Sequence, residues 1–102
     1  MGLYQRIEPN SVNKISVHRF GAALRQWAAG ELVRQQVVDA FALDASDQTD
    51  LDALVATYNA MQTNNANNAF LKAAWLDRME DVFLLVETGD YTEAKAKSAL
   101  GF

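Results

Sequence analysis

An all-α fold is predicted by three observations. Apolar residues recur at helical steps along most of the chain, a single proline interrupts it, and the periodic stretches begin and end on capping residues. The 102 residues are half apolar and 22% charged, which is enough for one core and too little for two domains. The expected architecture is a single-domain bundle of about five helices with an extended N-terminal arm. The arm covers residues 1–15 and the helical domain covers 16–102.

The arm is read as non-helical because Pro9 pushes Glu8 out of the α region and Asn10, Ser11 and Asn13 offer local side-chain hydrogen bonds. Leu3, Tyr4, Ile7, Val12 and Ile15 are nevertheless apolar, so the arm should pack. Two docking surfaces stay open for it, its own bundle and a neighbouring subunit. Ser16 then caps a helix to Ala29, with Val17, Phe20, Leu24, Trp27 and Ala28 on one stripe and Gly30 as the stop. A shorter helix follows over Leu32–Phe41, turning Val33, Val37, Val38 and Phe41 inward.

Ser46 or Asp47 starts the third helix, whose apolar stripe is Leu51, Leu54, Val55, Tyr58 and Met61. Its first turns crowd Asp47, Asp50 and Asp52 beside the positive end of the helix dipole. The polar run Gln62–Asn68 is a turn into the longest helix, about Ala66–Glu87. There Leu71, Trp75, Met79, Val82 and Val86 form one stripe, widened by Phe70, Leu76, Phe83 and Leu84. Because Val82–Val86 is apolar all round, this helix should be central. After the Gly89–Asp90 turn, Thr92 caps a last helix through Leu100, Gly101 stops it, and Phe102 is a peg for the core or for a partner.

Charge is divided along the chain. The net charge is −4, yet Arg6, Lys14, Arg19, Arg25 and Arg34 face only Glu8 and Glu31 in the first third. From Gln35 to Leu71 there is no Lys or Arg, while Asp39, Asp44, Asp47, Asp50 and Asp52 all fall there. The division reads first as ordinary solvated faces; the competing expectation is head-to-tail association, with a basic Arg19/Arg25 face of one copy meeting an acidic Asp44–Asp52 face of another.

Most chemistries lack their residues. Without cysteine there is no disulfide, thiolate metal site or Cys nucleophile. His18 is the sole histidine, and no Gly-x-Ser-x-Gly, GxGxxG, GxxxxGK[ST] or HExxH pattern occurs. The acidic run from Asp44 fails the EF-hand pattern, with Thr49 where glycine belongs and Val55 where glutamate belongs. The pair Leu32–Phe41 and Ser46–Met61 has helix-turn-helix spacing, but its second helix opens on aspartates and carries no cation to meet phosphate. No catalytic residue, cofactor or metal is assigned, and the protein is expected not to be an enzyme. The longest apolar run is far below the roughly 18 residues of a spanning helix, and no basic-then-apolar leader opens the sequence.

Two blocks together, RFGAALRQWAAGELVRQQVVDAFALDASDQTDLDAL and DVFLLVETGDYTEAKAKSALGF, resemble the small all-helical proteins of tailed bacteriophages that are encoded among virion genes. The resemblance implies a virion structural or assembly component (tail, neck or fibre-associated) that packs against its own copies and other virion proteins. It would be assembled in the bacterial host cytoplasm, with no nucleic acid, membrane or small-molecule partner. The alternative is a small helical regulator that binds nucleic acid or a host protein. The residues expected at the interface are Leu3, Tyr4, Ile7 and Val12 of the arm, Arg19 and Arg25, Asp44, Asp47, Asp50 and Asp52, and Phe102.

Overall fold

The structure, a computed structural model, describes residues 2–61 and 68–102. Six helices build them, with no strand among the described residues: α1 Leu3–Ile7, α2 Val17–Ala28, α3 Arg34–Ala40, α4 Ala45–Ala60, α5 Asn68–Glu87 and α6 Glu93–Leu100. The all-α bundle expected from the periodicity is what forms. The buried apolar side chains make one contiguous cluster, to which every helix contributes. The long helix α5 runs through it, burying Trp75, Leu76, Met79, Val82, Phe83 and Val86 against α1, α2 and α6.

Helix ends follow the local chemistry of the sequence. Ser16 is extended and its hydroxyl accepts the Arg19 N–H, while Thr92 does the same for Lys95. Asp44 and Asp47 close a reciprocal box: each carboxylate accepts the other's backbone N–H, at 2.9 and 3.0 Å. At the other ends, Gly30, Gly89 and Gly101 take φ of 81°, 85° and 98°, a region that costs glycine nothing. In each case the N–H of the following residue reaches back five positions, as from Glu31 to the Gln26 carbonyl. Helix α3 ends in the same way on Ala42, with φ 49° and a Leu43 N–H bond to the Val38 carbonyl.

The N-terminal segment corrects the expectation of an extended arm. Residues Leu3–Ile7 are helical, and Leu3, Tyr4 and Ile7 are fully buried in the common core. Proline acted where it was expected to, since Glu8 is extended (φ −56°, ψ 152°) and α1 stops there. Its influence does not reach further upstream. A five-residue helix is unstable alone, and tertiary partners hold this one. The Asp50 carboxylate of α4 accepts the Leu3 N–H at 3.0 Å, and the Gln5 side chain accepts the Gly2 N–H. Residues 10–15 are non-helical, as read from the sequence. The segment is closed on its own chain by an Ile15 N–H bond to the Arg6 carbonyl.

Other differences concern how deep the apolar stripes go. Val33 is exposed, because α3 begins one residue later and Val33 serves as its extended N-cap. Phe70 and Leu71, in the first turn of α5, are 74% and 43% exposed. Trp27, Phe41 and Tyr58 are only half-buried at the margin of the core. The polar turn read over Gln62–Asn68 lies outside the described residues, apart from Asn68, which opens α5.

Candidate interaction site

The residues expected at an interface divide into those the fold consumes and those it leaves at the surface. Leu3, Tyr4 and Ile7 are core. They cannot meet a partner without undoing the fold, so their assignment to an interface is corrected. Asp47 is also buried, the sole buried charged residue among those described. Its Oδ2 accepts from Arg6 Nη1 at 2.7 Å and from the Asp44 N–H, while Oδ1 has no partner among the described residues. Arg6 is engaged through all three nitrogens, donating also to the carbonyls of Asn13, Phe41 and Ala42. This one guanidinium ties α1, the 8–16 connection and the α3–α4 turn together.

The matched basic and acidic faces are largely satisfied within the chain. Arg25 donates to Asp77 and Glu80 at 2.7 and 3.2 Å; burial opposes its charge, but those two carboxylates prevail and hold its pKa above the usual value. Arg34 pairs with Asp52, whose hydrogen bond raises the guanidinium pKa. Asp50 is mostly buried between α1 and Lys97, and desolvation pushes its carboxyl above the usual range despite the Leu3 N–H and Lys97. Asp44 is exposed and held below that range by the Asp47 N–H. Arg19 is exposed, its guanidinium 5.9 Å over the Phe41 ring. Val12 is 92% exposed and Phe102 43% exposed. Of the expected set, then, Val12, Arg19 and Phe102 stand well clear of the core and, among the described residues, of a cross-helix ion pair.

A groove of about 360 Å³ opens elsewhere, between α2, α4 and the first half of α5. Leu24, Trp27 and Ala28 form one wall, Leu54, Val55, Tyr58 and Asn59 a second, and Lys72, Trp75 and Leu76 the third. Both tryptophans of the chain line it. Trp75 is anchored by its indole N–H, which donates to the Leu100 carbonyl at 3.2 Å, and its ring lies 6.1 Å from Tyr58. Lys72 Nζ sits 5.0 Å over the Tyr58 ring, a cation–π placement at the groove's edge. Among the described residues no carboxylate lines the groove, although acids outnumber bases thirteen to nine in the whole chain. Leu71 lies one helical turn before Trp75, so its exposed side chain extends this apolar surface.

Sequence reasoning assigned Trp27, Tyr58 and Trp75 to the core and missed the groove. The periodicity correctly put them on inward stripes. It cannot tell that three stripes diverge where α4 and α5 separate, leaving space between large rings. Among the described residues, no cluster of three His, Cys, Asp or Glu could hold a metal ion, and no helix is long and apolar enough to cross a membrane. No family model, no curated protein and no solved structure matches the chain.

Proposed function

We propose that this chain is a non-enzymatic structural or assembly component of a tailed-bacteriophage virion, acting by packing against other virion proteins and its own copies. The setting comes from the likeness of residues 19–54 and 81–102 to small helical virion proteins. The observation that carries the mode of action is the apolar surface left open on α5, which is the groove with Leu71 beside it and, on another side of the same helix, Phe70. Large side chains are left in water there on the very helix that organises the core. Exposed apolar surface of this kind marks places where another protein sits. The regulator reading is less favoured for nucleic acid, since α4 of the α3–α4 hairpin offers aspartates and no cation to a phosphate backbone.

Two measurements test the proposal. Mass spectrometry of purified particles should find the chain as a stoichiometric component. Light scattering on the full chain should show a mass above 11.3 kDa that rises with concentration, and Phe70→Asp should lower it while leaving the helical signal unchanged. A chain absent from particles and monomeric at all concentrations overturns the reading. Tight, salt-sensitive DNA binding would replace it with the regulator.

A further inference from the structure

The groove between α2, α4 and α5 has a chemistry that selects its occupant. Among the described residues its floor and walls are aliphatic and aromatic, its polar side-chain groups are the Asn59 amide, the Lys72 ammonium, the Tyr58 hydroxyl and the indole N–H groups, and no carboxylate lines it. Lys72 differs from most cations of the molecule. Arg6, Lys14, Arg25, Arg34 and Lys97 each lie within 4 Å of a carboxylate oxygen, whereas Lys72 has an aromatic ring as its partner and no ion pair among the described residues. A cation poised over a ring still has its remaining donors directed outward for an anion. An apolar cleft with a lone ammonium at its edge is complementary to an apolar anchor with a carboxylate beside it.

We infer that this groove is a docking site for a partner protein's segment that inserts a large apolar side chain between Trp27, Tyr58 and Trp75 and sets an adjacent Asp or Glu against Lys72. The inference rests on the proposed role in protein packing and names the chemistry of the contact. Its energetic centre is the aromatic trio. Interface hot spots concentrate in desolvated pockets rich in Trp and Tyr, where one inserted side chain supplies most of the affinity. The ion pair at the rim contributes mainly orientation, because one end of the inserted segment is drawn toward α5 and the other is not. The groove is largely formed before binding, since the Trp75 indole is fixed by the Leu100 carbonyl and Leu54 and Leu76 are core residues.

The molecule carries its own reporter, because its only two tryptophans both line the groove. A random linear peptide library panned against the full chain, with Trp27→Ala as the counter-target, should enrich peptides that place Leu, Phe, Tyr or Trp next to Asp or Glu. A Trp-free consensus peptide should then shift the protein's tryptophan emission. Lys72→Glu, a change at the groove's edge, should weaken that peptide by about tenfold, which is about 1.4 kcal/mol, and Lys72→Gln by less. Circular dichroism of each variant confirms that it is folded. Enrichment of basic-flanked peptides, no enrichment over Trp27→Ala, or affinity indifferent to Lys72→Glu overturns the inference. So does a dimer of the full chain that Trp27→Ala dissociates, because a second copy then fills the groove. If the panning fails while Phe70→Asp still abolishes assembly, the docking inference falls and the packing role stands. If acidic apolar peptides bind a chain that never enters particles, the groove stands and the virion role falls.

Discussion

At the scale of single residues, two positions show local chemistry in tension with the fold. Ala42 occupies the left-handed region at φ 49°, where the three other helix stops of this kind carry glycine. A side chain there costs roughly 1–2 kcal/mol, partly offset by the extra freedom glycine would have in the unfolded chain. Ala42→Gly should therefore raise stability by about 0.5–1 kcal/mol, seen as a higher midpoint in urea at unchanged slope. Asp50 is the second position. Burial, aided by Glu93 and Asp47, raises its carboxyl above the ordinary value, so the folded state holds that proton more tightly than the unfolded state. Its contribution to stability accordingly falls as pH rises from the ordinary carboxylate range through the raised value. Asp50→Asn keeps an acceptor for the Leu3 N–H and removes the charge. Thermal melts across the acid range should show the variant gaining on the parent as pH increases, and a growing deficit would contradict this account.

At the scale of elements, α1 is the least self-sufficient helix and the most dependent on others. Its five residues cannot nucleate a helix unaided, and one guanidinium fastens it to the α3–α4 turn. Removing that group leaves Asp47 buried without a counter-charge, the costly half of a broken buried pair. Arg6→Met should cost about 3–5 kcal/mol by chemical denaturation, and a cost within error of zero would show the pair to be dispensable. Deleting residues 1–8 is more severe, because it removes Leu3, Tyr4 and Ile7 from the core at once. Each truncation of a buried side chain of this size costs several kcal/mol, against total stabilities of about 5–15 kcal/mol. The truncated chain should lose its cooperative melt. Had α1 been an arm for a neighbour, the melt would survive.

At the scale of the whole molecule, the shared core makes unfolding a single event. Tyr4 of α1 stacks edge-on against Phe83 of α5 at 5.6 Å, and Phe20 of α2 lies within 6 Å of both Phe41 and Phe83. These contacts link the first, middle and last thirds of the fold, so no helix pair can open alone without exposing rings. Tryptophan fluorescence, which reports the groove, and far-ultraviolet circular dichroism, which reports all helices, should give coincident urea transitions. Separate midpoints would divide the molecule into independently stable parts.

The sequence by itself determined the helices from residue 16 onward, because caps, glycine stops and 3.6-residue periodicity are local signals. Ser16, Thr92, Gly30 and Gly101 act where their chemistry places them. It also determined which large side chains are apolar enough to bury. Tertiary structure decided the rest. Pro9 made residues 1–15 look extended, while the helix at Leu3–Ile7 depends on Asp50 and Asp47, more than forty positions away in the chain. The aspartates at the start of α4 looked like a solvated face; two of the four instead hold α1, because their partners arrive from another element. The groove was illegible for a related reason. A periodic stripe states which face of a helix turns inward, whereas the distance between facing helices depends on how all of them pack at once.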